Sequence, residues 1–120
     1  MIGGINMGLF GKKEKSYRAS AMALVNPATI IVTCNSIPIN NKAVYWFEVV
    51  LNGEVVGKIE QNATPHTFTT LMDKTLLELN LFIKENNGRI TPFGGRNQAL
   101  ELTDGETVNV VFENRRFVIT

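Results

Sequence analysis

The sequence predicts an all-β domain, built as an antiparallel β-sandwich of about seven or eight short strands. From Pro27 onward, runs of β-branched and aromatic residues recur at short spacing, and clusters of Asn, Gly, Pro and Asp separate them. Two dipeptides, Asn52-Gly53 and Asp104-Gly105, contain the residue types that favour tight hairpin turns. A small β-barrel is the alternative architecture, and an α+β fold would follow if Leu71–Asn87 formed a helix.

The first predicted strand is followed by a central β-hairpin. Ala28–Cys34 is rich in β-branched residues and predicts a strand. Ala43–Glu60 then places two apolar runs on either side of Asn52-Gly53, which predicts a β-hairpin. A two-residue turn would set Phe47 opposite Lys58, whereas a β-bulge would reassign the faces, so the register stays open.

The segment Leu71–Asn87, which follows a short predicted strand at Pro65–Thr70, carries two competing patterns. Apolar residues at helical spacing are Met72, Leu76, Leu79 and Ile83. Apolar residues at strand spacing are Leu77, Leu79, Leu81 and Ile83. We predict a strand because every other element is a strand, and a lone helix of mixed face would need its own partner on the sheet.

The last third of the chain predicts four further strands. Arg89–Thr91 begins a return strand that Pro92 interrupts, and Phe93–Arg96 is predicted to be a flexible loop. Gln98–Thr103 and Glu106–Glu113 flank Asp104-Gly105, which predicts a second hairpin. A turn at Asn114-Arg115 leads into a final short strand, Arg116–Ile119.

Length and charge predict one folded domain with a basic extension. The chain has 120 residues, of which 44% are hydrophobic and 19% are charged, which suits a single globular domain. Met1–Ser20 is predicted to be a flexible basic tail, and residues 21–120 a single domain. The tail holds four basic residues and one acidic residue, a charge of +3, so the total of +1 leaves −2 for the domain. Nucleic acid is therefore not the expected partner, because phosphate binding needs a basic surface.

The sequence predicts a cytoplasmic protein. The single cysteine cannot form an internal disulfide, which is compatible with a reducing compartment. No apolar stretch approaches the length of a transmembrane helix, and the apolar and basic parts of the N-terminus stand in the reverse order of a secretory signal. An alternative is peripheral membrane contact by the tail, through Met7, Leu9 and Phe10 beside its lysines.

Catalytic chemistry is not predicted. Cys34 and His66 are the only cysteine and the only histidine, too few for a zinc site, and no calcium-binding loop motif occurs. Phe93–Arg96 lacks the spacing and the lysine of a phosphate-binding loop. We therefore expect no metal, no cofactor and no enzyme activity; a small hydrolase using His66 is the remaining catalytic alternative.

A candidate binding surface combines aromatic residues with arginines. Tyr45 and Trp46 are consecutive on a predicted strand, so their rings should lie on opposite faces and one could remain exposed. An exposed aromatic ring beside arginine could bind a sugar, a base or a peptide. The candidate residues are Tyr45, Trp46, Phe93, Arg96, Arg115 and Arg116.

The segment Ala28–Ile119 resembles the PEGA-like domains, small β-sandwich modules of bacterial proteins. The likeness lies in the strand that ends at Asn52-Gly53, in Val56-Gly57, and in Leu102–Glu106. It does not extend to Ala63–His66. The resemblance implies a bacterial, non-catalytic module that binds or assembles, and it carries no functional residues over.

Three functions follow, in order of expectation. The first is a non-catalytic module for protein–protein contact or assembly, whose partner is unknown and could be a second copy paired through edge strands. The second is a module that binds carbohydrate or single-stranded nucleic acid through an exposed aromatic ring and arginine. The third is the small hydrolase.

Overall fold

The computed structural model describes residues 21–120, which form eight β-strands and no helix. The strands are β1 (Ala23–Cys34), β2 (Ala43–Leu51), β3 (Glu54–Ile59), β4 (His66–Met72), β5 (Lys74–Glu85), β6 (Ile90–Glu101), β7 (Thr107–Glu113) and β8 (Arg116–Ile119). The first sheet has the strand order β4-β1-β7-β8 and the second sheet has the order β3-β2-β5-β6. The predicted all-β sandwich is confirmed, and Leu71–Asn87 contains strand β5 rather than a helix. The predicted tail, Met1–Ser20, lies outside the described residues.

The two sheets pack through apolar side chains that alternate along each strand. On β1, the residues at every second position from Ala28 to Cys34 are fully buried, and the same alternation buries residues 108, 110 and 112 of β7. Phe47 of the second sheet meets Phe112 of the first sheet edge-to-face, with ring centroids 5.3 Å apart. Burial of this inner layer is the main stabilising contribution to the sandwich.

The hairpin of β2 and β3 contains both features that the sequence left open. Asn52 and Gly53 have φ values of 50° and 82°, which makes a two-residue type I′ turn. The register then shifts, because Val56 is an extra residue between two paired positions. This bulge brings Ile59 rather than Lys58 opposite Phe47, so an apolar side chain enters the core and the charged one remains in solvent.

The predicted loop at Phe93–Arg96 is wrong, because these residues belong to β6. Phe93 and Gly94 together occupy the space opposite one residue of β5, Leu81, so the extra residue forms a bulge instead of breaking the strand. Gly94 has a φ of 118°, which an L-residue rarely adopts. Pro92 is tolerated because β6 is an edge strand, where a missing N–H breaks no ladder bond.

The predicted hairpin at Asp104-Gly105 is also wrong, although a turn does form there. Glu106 N–H donates to the carbonyl of Thr103, but β6 lies in the second sheet and β7 in the first, so the turn joins the two sheets. β7 pairs instead with β1, and this pair is parallel. An Asp-Gly dipeptide specifies the local backbone angles, whereas the pairing of the flanking strands depends on distant partners.

Asp104 anchors the start of β1 to this turn. Its Oδ1 accepts hydrogen bonds from the backbone N–H groups of Val25 and Asn26, both at 2.7 Å, and its Oδ2 accepts one from the Asn26 side chain at 2.7 Å. These bonds favour the ionised carboxylate, so the donors of Asn26, and then that of Val25, lower the pKa of Asp104. The carboxylate therefore holds a strand segment that bulges away from β4 between Ala23 and Ala28.

The Asp104 anchor predicts a specific dependence of stability on acid. Because the pKa of Asp104 is lowered in the folded state, its stabilising effect is present above the unfolded pKa of about 3.9 and is lost as pH falls through the folded value. Asp104→Asn should lower the midpoint of urea denaturation at pH 7, since an amide cannot accept all three bonds. The difference from wild type should shrink below about pH 4, and a difference that stays constant with pH would contradict the assignment.

Candidate functional site

The candidate site is a groove at the side of the sandwich where β6 and the β7–β8 turn approach each other, and we call it the arginine groove. Its volume is about 390 Å³. Its lining residues are Ser36, Pro38, Phe47, Leu81, Phe93, Gly94, Gly95, Arg96, Phe112 and Arg115. The buried rings of Phe47 and Phe112 form an apolar floor, and Phe93, Arg96 and Arg115 form an exposed rim.

The β6 bulge places the aromatic part of the rim. Because Phe93 and Gly94 share one opposing residue, the strand departs from regular pairing beside the groove. Phe93 packs edge-to-face on Tyr45, with ring centroids 6.3 Å apart, yet remains 62% exposed. The contact with Tyr45 fixes one edge of the ring and leaves most of its surface available to a ligand.

The other side of the rim is a strained turn. Asn114 and Arg115, between β7 and β8, have φ values of 54° and 62°, so this is a second type I′ turn. Asparagine tolerates the left-handed region, whereas arginine there costs about 1 kcal/mol relative to glycine. Asn114 N–H donates to Ser36 Oγ at 3.0 Å, which ties the turn to the segment after β1. The chain keeps a strained arginine where glycine would be the stable choice, and this arginine lines the groove.

The arginine groove concentrates positive charge on a domain with a net charge of −2. Neither Arg96 nor Arg115 has a salt bridge or a side-chain hydrogen bond to any residue between 21 and 120. Both side chains are exposed, so their N–H donors face solvent. Two such guanidinium groups beside an apolar floor are suited to a carboxylate or phosphate that lies next to an apolar group.

The structure brings together four of the six residues singled out from the sequence. Phe93, Arg96 and Arg115 line the groove, and Tyr45 supports Phe93. Trp46 lies on the outer face of the second sheet, stacked on Phe82 with ring centroids 5.9 Å apart. Lys58 Nζ lies 5.2 Å from the centre of the Trp46 ring. Arg116 pairs with Glu113 in the β7–β8 ladder and does not line the groove.

Sequence reasoning missed the groove residues that come from other elements. Ser36 and Pro38 lie in the connection after β1, and the floor rings belong to β2 and β7. No local pattern marks them, since their proximity to Arg96 and Arg115 arises from the packing of one sheet on the other. The connection residue Ile37 is buried, and its backbone is held by both polar groups of the Asn62 side chain, at 2.7 Å and 2.9 Å.

The residues that could have carried catalysis are separated from one another. His66 Nδ1 donates to the carbonyl of Thr64 at 3.1 Å, and within residues 21–120 no hydroxyl, thiol or carboxylate hydrogen-bonds this imidazole. Cys34 is completely buried on β1. The described part of the chain contains no group of three or more His, Cys, Asp or Glu side chains placed to hold a metal ion. The geometry of the described residues therefore gives no support to the hydrolase alternative.

Comparison of the chain with protein-family models, with curated proteins and with solved structures found no match. Across residues 21–120 there is also no helix long and apolar enough to cross a membrane.

The strained turn predicts a stabilising substitution. Arg115→Gly should relieve the left-handed strain and, after allowing for the greater entropy of glycine in the unfolded chain, stabilise the protein by about 0.5 kcal/mol. The midpoint of thermal unfolding should rise by about 2–4 °C. Arg116→Gly removes the same charge at an extended strand position and should destabilise the protein. A lower midpoint for Arg115→Gly would show that the arginine makes a stabilising contact that outweighs its strain.

Burial of Cys34 predicts an unreactive thiol. Desolvation raises the pKa of Cys34 to about 12, so that at pH 8 only about one thiol in ten thousand is ionised. A thiol-specific reagent should react with the native protein only as fast as unfolding exposes Cys34. It should react with the urea-unfolded protein at the rate of a free cysteine. Fast labelling of the folded protein, with no dependence on denaturant, would exclude this burial.

Proposed function

We propose that the domain is a non-catalytic binding module whose arginine groove takes an extended segment of a partner protein. The segment would present one large apolar side chain to the floor and acidic groups to Arg96 and Arg115. The observation that carries this proposal is a pair of guanidinium groups, without a partner among residues 21–120, on either side of an apolar, partly open groove.

The size and lining of the groove suit an anchor side chain. A volume of about 390 Å³ is at the small end of the range for ligand pockets and accommodates one aromatic or large aliphatic side chain with part of its backbone. The floor of Phe47 and Phe112 would exclude water from such a side chain. Each guanidinium can then form two parallel hydrogen bonds to a carboxylate, which supplies orientation as well as affinity.

Charge and polarity favour a peptide over the other ligands. Single-stranded nucleic acid is gripped by a positive channel that follows several phosphates, whereas residues 21–120 carry a net charge of −2 and the groove holds two arginines. Carbohydrate sites place polar donors and acceptors around a sugar, but the groove floor is made of phenylalanine and leucine. An acidic segment with an apolar anchor side chain would contact both the apolar floor and the two arginines of the rim.

A labelled peptide tests the proposal directly. The probe is fluorescein-labelled Glu-Glu-Phe-Glu-Glu, titrated with the full-length protein at low salt and followed by fluorescence anisotropy. Arg96→Ala and Arg115→Ala should each weaken binding by roughly fivefold to tenfold, because each removes one charge-assisted contact. Arg116→Ala is the matched control: it removes the same charge one residue away, outside the groove, and should leave the affinity within about twofold.

Three outcomes would overturn the assignment. If Arg116→Ala weakened binding as much as Arg115→Ala, the attraction would be a general charge effect. If the uncharged peptide Gln-Gln-Phe-Gln-Gln bound equally well, the arginines would not be recognising carboxylates. Tighter binding of a thymidine 12-mer, falling steeply with salt, would instead assign the groove to single-stranded nucleic acid.

We further propose, on the sequence alone, that the domain is a PEGA-like module of a bacterial cytoplasmic protein, and that residues 1–20 act as a basic tether. The free cysteine supports the reducing compartment. The likeness in the strand that ends at Asn52-Gly53, in Val56-Gly57 and in Leu102–Glu106 supports the family assignment.

A further inference from the structure

Each sheet of the sandwich has two edge strands, and three of these four edges are blocked against further pairing. β3 contains the bulge at Val56 and the charged Lys58. β6 contains Pro92 and the bulge at Gly94. β8 has only four residues and begins with Arg116. Bulges, proline, charge and short length are the features by which natural sheets prevent edge-to-edge association.

The fourth edge, β4, has none of these features. Its sequence from His66 to Met72 contains no proline and no Lys, Arg, Asp or Glu, and its side chains alternate between half-buried and exposed without interruption. It pairs in continuous register with β1 from Thr70 to His66. Leu71, on the exposed face, is 53% accessible. Among the edges of the described sandwich, β4 is the one that a further strand could extend.

The hydrogen bonds of β1 show which backbone groups of β4 point outward. Thr29 and Asn35 donate to carbonyls at the β7 side, so the odd-numbered residues of β1 face β7 and the even-numbered ones face β4. The β4 residues opposite Ile30 and Val32 therefore direct their N–H and C=O groups to β1. The intervening residues, Thr67, Thr69 and Leu71, direct theirs to the open edge.

We infer that β4 pairs antiparallel with β4 of a second copy of this chain, about a two-fold axis at Thr69. Thr69 is the middle residue of the strand, so this register overlaps β4 over its whole length. Thr69 then lies opposite its symmetry mate, and Thr67 lies opposite Leu71 of the other copy. The three hydrogen-bonded pairs provide roughly six N–H···O bonds, two for each pair. The two first sheets become one sheet of eight strands.

The occupant is a second copy because the strand is compatible with itself. An uncharged strand brings no like charges together across a two-fold axis, which charged edges such as β3 would do. The pairing also covers Leu71 with the methyl group of Thr67. A single added strand pair buries less than the roughly 1,200 Å² of a standard interface, so the dimer should dissociate in the micromolar range.

Analytical ultracentrifugation of the full-length protein, from about 1 to 500 µM, tests this inference. Wild type should change from monomer to dimer over this range. Thr69→Lys should shift the dissociation constant upward by at least tenfold, because the two-fold axis places the two ammonium groups opposite each other. Thr107→Lys adds the same charge to an exposed position of the same sheet face, but on the interior strand β7, and should leave dimerisation unchanged.

A mixture of Thr69→Lys and Thr69→Glu proteins tests the register. The opposite charges should restore association as a heterodimer, while each variant alone remains largely monomeric. Failure of the mixture to associate would overturn the Thr69 axis. Pairing at β4 would be overturned if wild type remained monomeric at 500 µM, whether or not residues 1–20 occupy the edge. It would also be overturned if Thr107→Lys lost dimerisation as fully as Thr69→Lys. Circular dichroism melts of each variant show that the fold is retained.

Discussion

The structure depends on keeping apolar side chains in phase on the inner faces of both sheets. A strand turns successive side chains to opposite faces, so a single-residue slip would expose one set and bury the other. Apart from the β1 segment between Ala23 and Ala28, the sequence falls out of phase at Val56 and at Phe93-Gly94, and at each of these a bulge absorbs one residue. The first bulge returns Ile59 to the core, and the second allows β6 to continue past Leu81. Both bulged strands are edges, where the loss of one ladder bond costs least.

The same two bulges shape both proposed surfaces. The bulge in β6 shapes the rim of the arginine groove and holds Phe93 against Tyr45. Both bulges also block their edges against pairing, and β8 is short, so β4 is the available edge among residues 21–120. The start of β1 is held by two carboxylates. Asp104 accepts hydrogen bonds from the N–H groups of Val25 and Asn26, and Asp73 accepts one from the N–H of Met22 at 2.7 Å. The arginine groove lies at the other end of β1, next to Ser36 and Pro38, so the anchored segment and the groove occupy different ends of that strand.

Local chemistry in the sequence predicted most of the strands, although the single strand β6 was predicted as two strands with a loop between them. The Asn52-Gly53 turn and the alternating buried residues of β7 follow from residue type and period. Strand β5 followed from consistency with the other strands, because its sequence fits both periods. Long-range pairing did not follow. The parallel pairing of Thr29 with Thr107 joins residues far apart in the chain, and nothing near Asp104-Gly105 distinguishes a hairpin from a crossing between sheets. Residue type alone was enough to select Phe93, Arg96 and Arg115 as candidates. Ser36, Pro38 and the floor rings could not be selected, because only long-range packing brings them to the groove.

The two proposed surfaces lie on opposite sides of the sandwich. A Cβ on Gly57 would lie 3.1 Å from Cε1 of Phe68, so β3 and β4 face each other on one side. The strand orders then place β6 beside β8 on the other side, where the groove lies. Pairing at β4 would leave both grooves unobstructed at the outer edges of the joined sheet. Eight strands spaced about 4.8 Å apart would separate the grooves by roughly 35 Å. A partner with two acidic segments at that spacing would bind bivalently, so that modest affinity at each groove would combine into a tighter complex.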